Sequence, residues 1–243
     1  LYPAKVWFEG KVGAYFYPPL VIQRAIADFN PDVIQVEQEV FSLSAFEIAL
    51  WAKFARKPLV LFCWENMDRD LSKFRQGLRQ FVLNTAQLII AGNIEGKELL
   101  RKWGYQGLIE VMPQMGVDET LFNPRLRQPK SNSRLVVGFV GRLAHQKGID
   151  LLIEAVKQLR DRNLECQVIL CGSGAEEETL RQQAQKQNVA DLIVWRGGVR
   201  HDEVPAEMSK FDVLVLPSRT TPDWKEQFGH VLIEAMAMGI PSA

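Results

Sequence analysis

Two stretches of this chain carry residue types at spacings that suit chemistry. The first reads Gly141-Arg-Leu-Ala-His-Gln-Lys-Gly148. It follows an apolar run, Leu135–Val140, and precedes a helix-like stretch that begins near Asp150. Glycines at a strand-to-helix turn let the backbone come close to a ligand. The helix that follows offers unpaired N–H groups and the positive end of its dipole. Arg142 adds a planar fork suited to phosphate, and Lys147 adds a mobile point charge. Together these suit a diphosphate; the alternative is a solvated loop with incidental charges.

The second stretch runs Glu226-Gln-Phe-Gly-His-Val-Leu-Ile-Glu234 and continues Ala-Met-Ala-Met-Gly-Ile-Pro241. Between Phe228 and Ala243 the only carboxylate is Glu234. Its spacing from Val231 and Ala235 places it at the border of the buried helix face. A carboxylate there is costly unless it accepts hydrogen bonds. Vicinal ribose hydroxyls would match its two oxygens; a satisfied structural carboxylate is the plainer reading. Glu226, Phe228 and Gly229 precede the helix and could present a carboxylate and free N–H groups to a sugar and its phosphate.

Gly172 and Gly174 follow another strand-like run in Cys171-Gly-Ser-Gly174. A dinucleotide fingerprint would need glycine at 177, which is Glu177, so hydride-transfer chemistry is disfavoured. The two glycines still fit a tight turn facing the same cleft. Trp195-Arg-Gly-Gly-Val199 could lie against a base or be an ordinary strand exit.

These residues need a scaffold that gathers strand ends. Short apolar runs alternate with helix-like segments throughout. In the first half the runs are 32–38, 58–64, 88–91 and 108–112, with helices expected at 41–55, 69–85 and 94–103. In the second half they are 135–140, 167–170, 192–195 and 213–216, with helices at 150–160, 176–188, 202–209 and 230–238. Continuous Val/Ile/Leu character marks strands buried on both faces of a parallel sheet. Two βα successions predict an α/β chain with two Rossmann-like, doubly wound domains. The polar, aperiodic stretch 115–134 reads as the connection. The expected division is 1–125, a linker at 126–134, and 135–243.

Composition agrees. The chain has 243 residues, 47% of them hydrophobic, enough for two cores. Basic and acidic residues number 29 each, with 14 of each in residues 1–125, so neither half is a platform for nucleic acid. Cys63, Cys166 and Cys171 include no CxxC pair and read as buried free thiols of a reducing, cytoplasmic compartment. Three histidines speak against a histidine-based metal site. No apolar run reaches the ~18 residues of a membrane span. The nearest stretch to a basic amphipathic helix is 69–79, which reads as a solvated face.

The order GRLAHQKG, CGSG, WRGGV, LPSRT and EQFGHVLIEAMAMGIP resembles the glycosyl transferases group 1 family, family four of the retaining glycosyltransferases with the GT-B fold. The resemblance implies that Arg142 and Lys147 bind a donor diphosphate. It implies that Glu226 holds the sugar and Glu234 the ribose, with Phe228 and Gly229 close to the donor. Over the first half it is looser. PDVIQVEQEVFS carries Gln35 and Glu37 where the family often has histidine. FCWENMDR stands where many members have a strand ending in histidine. Glu37, Glu39, Trp64, Glu65 and Asn66 are the acceptor-side candidates. The resemblance also implies a strand and a Gly-rich loop before Leu1, and a closing strand and helices after Ala243, so both domains are expected to be incomplete.

The activity implied is transfer of a hexosyl unit from a nucleotide sugar to a hydroxyl with retention, as in carbohydrate biosynthesis. The nucleotide sugar is then a substrate, and neither cofactor nor metal is required. The acceptor would be a sugar, a lipid or a small molecule, with peripheral membrane contact where it is a lipid. A sugar-nucleotide epimerase, a phosphorylase, a non-catalytic binding module and an inactive donor-binding fragment remain open alternatives.

Overall fold

The computed structural model describes residues 5–8, 13–113, 115–127, 134–164 and 166–243. The chain divides into two units, Leu1–Gln114 and Met115–Ala243. The division falls after Gln114 rather than after residue 125. The reason is local: Phe122 is buried in the second unit's core beside Phe211 and Met238. Part of the stretch read as a polar connection is therefore core material.

The first unit contains α1 (Pro19–Phe29), β1 (Ile34–Glu37), α2 (Leu43–Ala55), β2 (Leu59–Cys63), α3 (Lys73–Thr85), β3 (Leu88–Ala91), α4 (Ile94–Lys102) and β4 (Leu108–Val111). The four strands form one parallel sheet in the order β1-β2-β3-β4. Helix starts follow the sequence: Ser42, Ser72 and Asn93 each accept a hydrogen bond from the backbone N–H three residues on. Ala45, Ala49 and Ala52 let α2 lie close over Leu59, Leu61 and Ile89. Helix α1 was not among the expected elements. Its signals were prolines at the first turn and the spacing of Val21, Ile22, Ala25, Ile26 and Phe29.

The second unit contains β5 (Leu135–Val140), α5 (Ile149–Asp161), β6 (Cys166–Cys171), α6 (Glu177–Lys186), β7 (Ile193–Gly197), α7 (Val204–Met208), β8 (Val213–Leu214) and α8 (His230–Ala237). Its sheet is parallel in the order β7-β6-β5-β8. Two apolar clusters cover its faces, one including Ile153, Leu180 and Ala184 and the other including Phe211, Ala235 and Met238. Beyond α8 the chain returns to β8. Leu214 donates to the Pro241 carbonyl, and Leu214 and Leu216 pair with Ala243 at 2.9 and 2.8 Å. Ser242 bridges Leu214 in parallel.

The strand order carries the functional consequence. From β5 the chain steps outward through β6 and β7, then crosses to β8 on the other side of β5. The strand order thus reverses between β5 and β8, and the loops leaving their carboxyl ends stand at that reversal, the usual ligand position in such sheets.

The three cysteines are buried and form no disulfide. Among the described residues no helix is long and apolar enough to cross a membrane.

Gly138, in β5, is required by packing. A Cβ there would lie 2.0 Å from Phe211 Cδ2, and Phe211 is itself 1% exposed. Gly138→Ala should destabilise the second unit by about 1–3 kcal/mol through overpacking, read as a lower urea midpoint at unchanged slope.

Candidate functional site

The loop after β5 is built on glycine. Gly141 donates to the Cys171 carbonyl at 2.9 Å, and Leu143 to that of Ser173 at 3.0 Å. A Cβ on Gly172 would lie 1.8 Å from the Gly141 carbonyl oxygen, and one on Gly174 would lie 2.1 Å from that of Leu143. These two glycines therefore serve backbone-to-backbone contact between the loops after β5 and β6. Gly148 closes the loop at φ 67°, and a Cβ there would lie 2.0 Å from the Pro217 carbonyl oxygen. The loops after β5 and β8 are thus also in backbone contact.

This contact sets the charges. Lys147 Nζ lies 2.5 Å from Glu226 Oε2, and Ser218 Oγ donates to the same oxygen at 2.9 Å. The Lys147 ammonium also lies over the Trp224 ring, 4.9 Å from its centroid. Beside it, Arg219 clamps both Asp150 oxygens at 2.7 Å and donates its backbone N–H to the Gln146 carbonyl. Both pairs are half-buried. Arg142 differs: it is exposed, and its guanidinium makes no hydrogen bond or ion pair among the described residues. The loop after β5 therefore carries one cation without a side-chain partner among the described residues and one cation shared with a carboxylate.

Helix α8 starts at Gly229, buried and left-handed at φ 71° with no side-chain cap, so its first N–H groups stay uncapped. A Cβ on Gly229 would press on Leu232 and Leu216. Phe228 before it is half-buried.

Glu234, one turn along α8, is 5% exposed. Burial raises its pKa, opposed by His230 and His201. Its Oε1 lies 3.3 Å from His230 Nδ1 and 3.8 Å from His201 Nδ1. Glu226 and Glu234 thus stand in separate sets of contacts.

At the base's expected place, Arg196 Nη2 is paired with Glu207 at 2.5 Å, and Trp195 carries the Arg181 guanidinium 4.4 Å from its ring centroid. That strand exit is occupied by protein contacts.

In the first unit the candidates divide. Glu37 is exposed at the end of β1 and accepts from Gln35 at 3.3 Å. Glu39, Trp64, Glu65 and Asn66 come together beyond the carboxyl ends of β1 and β2. Glu39 Oε1 accepts from the Trp64 N–H at 3.2 Å. Glu65 is buried, accepts from the Asn66 and Met67 N–H groups, and pairs with Arg69 at 2.6 Å. Asn93 donates to the Trp64 carbonyl at 3.1 Å. The second Glu39 oxygen is enclosed without a hydrogen-bond partner among the described residues. Burial, with Glu65 adding, pushes the Glu39 carboxyl up to about 7.

Sequence reasoning did not single out Ser218, Arg219, Trp224, Asp150, His201 or His230. Ser218 and Arg219 stood in the quoted LPSRT element. The two histidines carried no local signal, because they meet Glu234 only through tertiary packing.

Residues 124–242 match the family model described as "Glycosyl transferases group 1". The second unit belongs to the glycosyl transferases group 1 family. Among curated relatives, the 2-deoxystreptamine glucosyltransferase of Streptomyces kanamyceticus is 34% identical over 108 residues, 44% of this chain and 27% of that protein. The GDP-mannose-dependent alpha-(1-6)-phosphatidylinositol monomannoside mannosyltransferase of Mycobacterium tuberculosis is 34% identical over 148 residues, 57% of this chain and 38% of that protein. The matched stretches thus span well under half of these relatives. Among solved structures, Anabaena HepE in complex with UDP superposes with a TM-score of 0.72 at 22% identity, covering 92% of this chain and 62% of that one. A glycosyltransferase from Rickettsia africae gives 0.73 at 16% identity, covering 92% and 60%. At such identities the likeness concerns the fold, which is GT-B.

Glu39 gives a pH prediction. Its folded pKa lies above the ordinary value of 4.5, so the folded state binds its proton more tightly. Stability from this group is full below about pH 4.5 and is lost as pH rises through about 7, on the order of 3 kcal/mol in all. Thermal unfolding at pH 5 and pH 8 should show wild type losing stability over that range, and Glu39→Gln losing less.

Proposed function

We propose that the second unit binds a nucleotide-sugar donor, and that the protein containing this chain is a retaining glycosyltransferase. The observation that carries the reading is the Lys147–Glu226 pair, which ties the loop after β5, with its exposed Arg142, to the loop after β8. Diphosphate recognition needs cations at a strand end, and the loop after β5 supplies them. The family match supports the reaction class. The UDP named in the HepE structure supports the ligand class, whereas the mannosyltransferase relative is named for GDP-mannose, so the nucleobase stays open between them.

Breaking a sugar–phosphate bond develops positive charge on the anomeric carbon and negative charge on the departing diphosphate. Arg142 and Lys147 stabilise that diphosphate, a fixed electrostatic effect that calls for no metal ion. Glu226, parted from Lys147 by the incoming phosphate, then accepts from sugar hydroxyls. Glu234 accepts from the ribose. An acceptor hydroxyl, on a sugar, lipid or small molecule, attacks the anomeric carbon from the face the diphosphate leaves. Its proton departs with the diphosphate, and configuration is retained. The transferred unit in this reading is a hexosyl group. The Glu39–Glu65 cluster of the first unit is the acceptor-side candidate.

In the full-length enzyme, Arg142→Ala and Lys147→Ala should each lower donor turnover about 10²–10³-fold with the melting temperature kept. Turnover equal to wild type in either variant would sink the donor-site assignment. Conversion of a nucleotide sugar with no acceptor present would instead favour an epimerase.

A further inference from the structure

Lys147 is aimed by a neighbouring loop. Both groups that hold its ammonium, Glu226 Oε2 at 2.5 Å and the Trp224 ring at 4.9 Å, lie on the stretch between β8 and α8. Residues 215–229 form neither helix nor strand, so no ladder or helix fixes where that stretch lies. The backbone contact of Gly148 with Pro217 fixes its start. The next tie along it is Arg219, which grips the chain on both sides of Lys147. Its N–H donates to the Gln146 carbonyl at 2.9 Å, just before the lysine. Its Nη2 lies 2.7 Å from each Asp150 oxygen, just after the lysine in the first turn of α5. Its Nη1 lies 3.4 Å from His145 Nε2. We propose that Arg219 is a positioning residue: its clamp on Asp150 pins the loop after β8 to the turn that carries Lys147, and so sets the ammonium where a diphosphate is taken up.

The chemistry of the pair suits that task. A lysine ammonium rides on a flexible stem and loses rotamer freedom when it is held in one place, so its partners must themselves be fixed. The guanidinium of Arg219 is planar and loses less freedom for each bond it makes. Arg219 and Asp150 are 25% and 36% exposed, so solvent screens their attraction only in part. Asp150 stands at the positive end of the α5 dipole, which favours its ionised form. The grip also reaches the residues that touch Lys147. Thr221 and Trp224 exchange backbone hydrogen bonds at 2.8 and 3.4 Å, so the chain turns back directly after Arg219 and brings Trp224 and then Glu226 to the lysine. Arg219 is engaged by protein groups through its main chain and its guanidinium, whereas Arg142 on the loop after β5 is exposed. This leaves anion contact to Arg142 and Lys147 and assigns positioning to Arg219.

The proposal rests on the nucleotide-sugar reading of the site, and one experiment separates the two. Binding of UDP and of GDP, each alone, is measured by calorimetry on the full-length protein, with a melting temperature for every variant. The comparison is between wild type, Lys147→Ala, the double variant Arg219→Gln/Asp150→Asn, and the triple variant that combines them. The double variant removes one positive and one negative charge together, so the net charge of the site is unchanged. It should bind the preferred nucleotide about tenfold more weakly than wild type. The triple variant should bind as Lys147→Ala does, because a residue that acts through Lys147 then has nothing left to position. Arg219→Lys keeps the charge but meets Asp150 as a single point, so it should bind about threefold more weakly, with that loss again absent beside Lys147→Ala. It serves in place of the double variant if the latter fails to fold. Wild-type affinity in the folded clamp variant, or a loss of the same size with and without Lys147, overturns the role of Arg219 and leaves the donor site standing. Binding of neither nucleotide by wild type overturns both.

Discussion

Backbone packed directly on backbone fixes this site. At Gly172, Gly174 and Gly148 a single methyl group would fall within about van der Waals overlap of a neighbouring carbonyl oxygen, at 1.8, 2.1 and 2.0 Å. No rotamer change relieves such a clash, because a main-chain oxygen cannot turn aside. The three loops leaving β5, β6 and β8 are consequently one assembly. Lys147 reaches Glu226, and Arg219 reaches Asp150, because this assembly sets their distances.

The charges on that assembly are balanced in an informative way. Surface ion pairs contribute little to stability. The half-buried Lys147–Glu226 pair, with Ser218 on the same oxygen, is better placed, yet both side chains keep part of their surface open to solvent. A resting pair of this kind keeps a cation oriented without leaving it unsolvated. Glu234 solves a different problem. It is buried on α8, and the groups that face it are His230, one turn back on the same helix, and His201, from the turn before α7.

Much of this was legible in the sequence. All eight strands fall within two residues of their expected ends, since short Val/Ile-rich runs between longer helical stretches favour strands. Arg142 and Lys147 were visible because a strand, a glycine and two cations follow in order. What was not legible depends on distance along the chain. Phe122 looked like linker because its partners, Phe211 and Met238, lie about a hundred residues away. Gly172 and Gly174 announced a tight turn, but which backbone fills the space above them is a matter of sheet order. Helix α1 was missed because it buries no residue fully, so its apolar stripe is weakly marked.

The placement of the three thiols has a use outside chemistry at the site. Cys63 lies in β2 of the first unit, and Cys166 and Cys171 lie in β6 of the second. All are buried in strands, and burial pushes each thiol upward, so in the closed state they are both shielded and protonated. Alkylation can then proceed only through opening of the sheet that holds the strand. The chain thus carries one built-in reporter of opening in the first unit and two in the second, and the labelling rate of each cysteine reads the local unfolding of its own sheet.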